Sequence, residues 1–185
     1  MIFREADDRD LVLAARRGKV DAYNALITRW EKRIFNYLRR LVGQDEDAMD
    51  IAQDVFLKAW QSLPRLDDPA RFGPWLYRIA HNEAISHVRR RRPETDLENL
   101  PLPKHTTRMA PVEVSLAVEA ALARLTEEQR EAVILKIYEG FKFDEMAEIL
   151  NCPASTLKSR VYTALDELRE LLGPALQRAG TPMEG

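Results

Sequence analysis

The chain has 185 residues, with 28 basic and 30 acidic side chains and a net charge of −2. That length fits one large domain or two small ones. A single cysteine excludes an internal disulfide framework and a cysteine-built zinc site, and no apolar run approaches the roughly 18 residues of a membrane span.

The opening MIFREADDRD carries acids where a secretion signal needs basic residues and then an apolar core, which points to the cytoplasm. Helical periodicity dominates from there on, so an all-α fold is expected. A short helix over 8–18 turns Leu11, Val12, Ala14 and Ala15 inward and stops at Gly18. From Asp21, as N-cap, a long helix reaches about Val42, with Ala25, Leu26, Trp30, Ile34, Tyr37, Leu38 and Leu41 at three- and four-residue steps before Gly43. Asp45 or Asp47 caps the next helix, whose inner face holds Ile51, Val55, Phe56, Ala59 and Trp60 and which ends at Leu63. Residues 64–74 read as a loop, and Pro74 opens a helix carrying Trp75, Leu76, Ile79, Ala80, Ile85 and Val88 and closing in Arg89 to Arg92. The proline-rich stretch 93–112 reads as a flexible linker. Helices follow at about 113–124, 127–139, 143–150 and 154–172. Thr126 and Gln129 are spaced as a capping box, Gly140 is a stop, and Gly173-Pro174 ends the last helix before a frayed tail. Two small helical domains joined by a linker are therefore predicted.

Three constellations could carry function. The stretch 143–165, FDEMAEILNCPASTLKSRVYTAL, is a short helix, a sharp turn and a second helix. Met146, Ala147 and Leu150 would pack on Leu157, Val161 and Leu165. The second helix would then present Ser155, Thr156, Lys158, Ser159, Arg160 and Tyr162 at the end that enters a major groove in DNA-binding examples. A helical hairpin with a solvated face fits the same pattern. The helix 74–92 sets Tyr77, Arg78, His81, Asn82, Ser86 and Arg89 on its polar side, aromatic and basic groups interleaved as single-stranded nucleic acid requires. Composition alone favours instead a core role for Trp75 and Tyr77, with arginines that keep the surface soluble. Asp47, Asp50 and Asp54 share a helix face with Gln53 beside them, an acidic surface suited to a protein partner. Asp45 to Asp47 also suit a helix start. No Glu-x-x-His pair accompanies these acids, so no metal is expected. His81 and His87 lie on different faces, His105 is in the linker, and Cys152 reads as a small buried apolar residue. With no glycine-rich phosphate loop and no nucleophile–base motif, no catalytic residue, cofactor or small-molecule substrate is expected.

The order of these motifs is more specific than any one of them. DIAQDVFLKAW at 50–60, FGPWLYRIAHNEA at 72–84, LTEEQREAV at 125–133 and then the helix-turn-helix resemble an extracytoplasmic-function (ECF) sigma factor over roughly residues 8–172. The resemblance implies sigma region 2 over 1–92, a linker over 93–112, sigma region 4 over 113–175 and a tail over 176–185. It implies that Asp50, Gln53 and Asp54 dock on the β′ clamp helices of core RNA polymerase, with the β subunit a further contact. It implies that the loop 67–72 and the following helix, with Phe72, Trp75, Tyr77, Arg78, Asn82 and Arg89, serve the minus-ten element and capture an unstacked base. Ser155, Thr156, Lys158, Ser159, Arg160 and Tyr162 would serve the minus-thirty-five element. Ser155, Lys158 and Thr163 depart from the family's common glycine, arginine and basic residue. Promoter DNA and an anti-sigma factor are the other partners implied. The alternatives are a stand-alone helix-turn-helix regulator, which binds duplex DNA without polymerase, and a helical adaptor that binds only proteins. A net charge of −2 suits the sigma factor better than a free-standing DNA binder.

Overall fold

The structure, a computed structural model, describes the backbone of residues 6–91 and 112–179 and the side chains of 6–90 and 117–173. The described residues are helical, in eight α-helices and three short turns of other pitch. These are α1 (Asp8–Arg16), α2 (Val20–Val42), α3 (Asp45–Ser62), α4 (Phe72–Arg91), α5 (Val112–Arg124), α6 (Glu127–Val133), α7 (Phe143–Leu150) and α8 (Ala154–Ala179). They fall into two units.

In the first unit α1 to α4 pack on one another around α2. The aromatic residues of α2 organise the core. Trp30 lies edge-on to Phe72 and Tyr77, with ring centroids 6.1 and 6.2 Å away, and Tyr77 packs at 4.9 Å on Tyr37. Asp8 ties α1 to this point, accepting 3.0 Å from Trp30 Nε1 and pairing at 2.6 Å with Arg29. Arg16 donates to the carbonyls of Leu63 and Leu66 and so fixes the turn after α3. The Tyr23 hydroxyl donates to the carbonyl of Phe56, and burial pushes its phenol above the ordinary tyrosine range. Gly73 is where α4 comes closest to α2: a Cβ there would lie 2.7 Å from Trp30 Cη2.

The second unit is built on α5, α6 and α8. Ala121, Leu125, Val133, Ala164 and Leu168 form its core. Thr126 caps α6, accepting from Gln129 N at 3.2 Å while Gln129 Oε1 accepts from Thr126 N at 3.0 Å, the capping box expected from the sequence. Arg130 donates to the carbonyls of Leu122, Ala123 and Leu125, closing the C-terminus of α5. Its burial lowers the guanidinium's pKa. Gly140 has φ +76° and Asn151 φ +48°, the left-handed conformations that end the helical stretches before α7 and α8.

Several sequence expectations need correcting. Lys19, not Asp21, occupies the N-cap of α2, and Gln44, not Asp45 or Asp47, that of α3. The acids sit one to three residues further in, where the helix dipole still favours them. The 64–74 loop is shorter, with 3₁₀ turns at Leu63–Arg65 and Pro69–Arg71, and α4 starts at Phe72. The helix expected over 127–139 changes to a π-helical turn at Ile134–Tyr138. The last helix runs through Gly173-Pro174 to Ala179, so residues 176–179 are not a frayed tail. A proline removes one ladder bond and crowds the carbonyl four residues back, here that of exposed Glu170. Trp60, expected on the inner face of α3, is 38% exposed. Residues 93–111, with His105, and 180–185 lie outside the described residues.

Candidate nucleic-acid and protein interfaces

The acidic surface lies on α3. Asp50, Gln53 and Asp54 are all exposed, as their spacing requires. Met49 and Leu57, 54% and 56% exposed, run along the same strip at four-residue intervals with Gln53. Exposed carboxylates interleaved with large apolar side chains suit a protein partner better than solvent alone. Met49 and Leu57 were not among the expected site residues, since nothing in their spacing separates an exposed apolar side chain from a core one. Asp47 turns inward, its Oδ1 3.5 Å from Nε2 of His87 on α4.

The polar face of α4 is narrower than its sequence suggested. Phe72 and Tyr77 have no exposed surface, so neither can stack on a base in this structure. Their rings complete the aromatic core with Trp30 and Tyr37. Trp75 is half-buried against Phe72, ring centroids 5.8 Å apart. Arg78, Asn82 and Arg89 are exposed, and with Ile85 they form a stripe at four-, three- and four-residue steps. Beside Asn82 the end of α3 and the face of α4 enclose an open cleft of about 440 Å³, lined by Lys58, Gln61, Ser62, Arg65, Ile79, Asn82 and Glu83. Lys58 Nζ pairs with Glu83 Oε1 at 2.5 Å across it. Of these residues only Asn82 was expected from sequence to carry function. The others come together through the pairing of two helices, which no spacing within one helix reveals.

On α8, Ser155, Thr156, Lys158, Ser159 and Tyr162 are exposed, Tyr162 by 62%, while Leu157 and Val161 are buried. Met146 and Ile149 are the buried positions of α7, with Ala147 and Leu150 only half-buried. Lys158 Nζ stands 5.7 Å from the Phe143 ring, whose centroid is also 4.8 Å from Lys136 Nζ. Arg160 behaves differently from its neighbours. It is half-buried, with Nη1 3.8 Å from Cys152 Sγ, and Cys152 is itself half-exposed rather than a core residue. The groups expected on the reading helix are thus presented together, with Arg160 drawn back to the turn. Among the described residues no three His, Cys, Asp or Glu side chains gather as a metal site, and no helix is long and apolar enough to cross a membrane.

Residues 26–94 match the family model for Sigma-70 region 2, and residues 115–168 that for Sigma-70 region 4. The chain is 29% identical over 192 residues to the RNA polymerase sigma-H factor of Pseudomonas aeruginosa, covering 95% of this chain and 98% of that one. It is 28% identical to the ECF RNA polymerase sigma factor SigW of Bacillus subtilis, over 85% and 92% of the two chains. Among solved structures, the sigma factor RpoE of Bartonella quintana, crystallised with the anti-sigma factor NepR, matches with a TM-score of 0.72 at 26% identity, over 82% of this chain and 96% of that one. CnrH, in complex with the cytosolic domain of CnrY, matches with a TM-score of 0.68 at 26% identity, over 94% and 99%.

Proposed function

The chain belongs to the sigma-70 family, in its ECF group, and from that membership we propose how its own residues do the work of a sigma factor. Asp50, Gln53 and Asp54, with Met49 and Leu57, bind core RNA polymerase at its β′ clamp helices. Arg78, Asn82 and Arg89 on α4, with Trp75 at its start, receive the minus-ten element, and a base leaves the stack there. Ser155, Thr156, Lys158, Ser159 and Tyr162 on α8 read the minus-thirty-five element, and Arg160 supports the turn that aims them. The β subunit supplies a second contact to the polymerase. The protein works in the cytoplasm and is not an enzyme: it positions promoter DNA, and the polymerase performs the phosphoryl transfer. An anti-sigma factor holds it when it is idle, a reading supported by the complex of RpoE of Bartonella quintana with the anti-sigma factor NepR.

One observation carries this reading. A single unit bears both an acidic and apolar strip on α3 and a basic and amide stripe on α4. A stand-alone duplex binder needs only a basic surface, and an adaptor needs no nucleic-acid face. The first strip is tested by Asp54→Arg. Reversing a desolvated interface charge leaves its partner unpaired, a loss of about 2–5 kcal/mol. The variant should lose in competition for core polymerase while its helical signal in circular dichroism stays unchanged. Equal affinity for core would reduce Asp54 to a solvated surface charge.

A further inference from the structure

Lys158 is exposed on α8, and among the described residues its ammonium makes no hydrogen bond or ion pair. What it meets is the ring of Phe143, whose centroid is 5.7 Å from Nζ. Phe143 is the first residue of α7, and the segment that delivers it is pinned at each step. Gly140 turns the chain in the left-handed conformation, φ +76°. Phe141 N then donates to the carbonyl of Leu135 at 3.1 Å, and Lys136 Nζ donates to the carbonyl of Phe141 at 3.0 Å. Lys142 N donates to Glu145 Oε2 at 2.7 Å, which fixes the start of α7. Lys136 Nζ also stands 4.8 Å from the Phe143 centroid. One lysine is thus taken up in holding the segment, and the other keeps its N–H groups for an acceptor outside it.

We propose that Phe143 is a positioning residue for base readout: its ring face aims the Lys158 ammonium at one base pair of the minus-thirty-five element. This rests on the reading of α8 as the minus-thirty-five helix. An ammonium on a four-carbon stem is a point charge without the planar fork that orients arginine, and it loses much rotamer freedom when it is fixed. Nothing in such a side chain chooses between the O6 and N7 acceptors of a guanine and a neighbouring phosphate. A ring face within about 6 Å attracts the cation. Because this ring belongs to α7, it draws Lys158 to one side of α8 before DNA arrives. Part of the ordering that readout requires is then already present in the free protein. Phe143 carries no hydrogen-bonding group on its side chain, so it cannot pair with a base edge itself. Its effect on sequence preference passes through Lys158.

The test uses the full chain with core polymerase on duplex promoters. Each minus-thirty-five base pair is set in turn to all four alternatives, and complex formation is compared by competition. Lys158→Ala identifies the base pair that Lys158 reads. Phe143→Leu keeps an apolar side chain without a π face. It should lower discrimination at that same base pair by about two- to fivefold and leave the ranking elsewhere as it was. Phe143→Met should do the same, so a helix disturbed by one substitution does not decide the result. Phe143→Tyr keeps the ring and should keep the wild-type ranking. With Lys158 already replaced by alanine, Phe143→Leu should change no ranking further. Three results overturn the proposal while the reading of Lys158 stands. If Phe143→Leu and Phe143→Met leave every ranking unchanged, or weaken all promoters alike, Phe143 is a packing residue. If Phe143→Leu re-ranks promoters as strongly in the Lys158→Ala background, the ring touches DNA directly, as against a thymine methyl. If Lys158→Ala re-ranks no base pair, the reading of Lys158 fails, and the proposal with it.

Discussion

Gly73 and Trp30 show how little room separates α4 from α2. A methyl group on Gly73 would lie 2.7 Å from Trp30 Cη2, inside any tolerable contact. Trp30 cannot retreat, because Asp8 holds its indole nitrogen, Phe72 and Tyr77 box its ring, and the Arg33 guanidinium stands 4.6 Å from its centroid. Gly73→Ala should therefore destabilise the first unit by about 1–3 kcal/mol, the usual cost of overpacking, seen as a lower midpoint in urea unfolding. An unchanged midpoint would mean that α4 can shift away without loss. On α8 two neighbouring cations are predicted to separate by role. Lys158 is exposed and leans on Phe143, whereas Arg160 is half-buried against Cys152. Lys158→Ala should change the ranking of minus-thirty-five variants at one base pair by about 1–3 kcal/mol. Arg160→Ala should weaken binding to every variant alike, without re-ranking them. A substitution scan in which Lys158→Ala lowers every site equally, and the salt slope falls by about one unit, would identify a phosphate contact.

At the scale of the element, α4 has two unlike faces, one packed in the core and one proposed to receive the minus-ten element. One face buries Phe72, Leu76, Tyr77, Ala80 and Ala84, and the other exposes Arg78, Asn82, Ile85 and Arg89. Because unstacking a base costs a few kcal/mol, a residue that captures it should matter most where the duplex must first open. Asn82→Ala should leave core binding intact and reduce open-complex formation on duplex promoters, and a pre-melted bubble should restore much of the loss. Equal losses on duplex and bubble would make Asn82 a structural residue. The helices were legible because apolar residues recur at helical spacing, and α7 falls where that spacing placed it. The misreadings have physical causes. Phe72 and Tyr77 entered the minus-ten set through the family resemblance, whereas composition favoured a core role for Tyr77, and packing with Trp30 and Tyr37 places both rings in the core. Gly173-Pro174 looks like a stop, yet a helix loses only one ladder bond there and continues. Lys58, Gln61, Arg65 and Glu83 became a candidate site through tertiary pairing, for which the chain carries no local signal.

Across the whole molecule the charge is divided unevenly. Residues 1–92 carry 18 basic against 14 acidic side chains, and residues 93–185 carry 10 against 16. Neither balance supplies the strongly basic surface by which an autonomous protein holds duplex DNA against salt. Each unit instead exposes the small set of groups proposed to read DNA, Arg78, Asn82 and Arg89 on one and Ser155, Lys158 and Tyr162 on the other. Affinity for DNA must then be borrowed from a partner that already grips it. The two units are accordingly expected to act on one promoter through the polymerase, rather than each on its own operator. Run-off transcription tests this most directly, with the purified chain and core polymerase on a duplex promoter found by mapping start sites. The account predicts defined transcripts only when chain and core are both present, and no sequence-specific shift of the same duplex by the chain alone. A specific shift without core, together with no transcript when core is added, would contradict it.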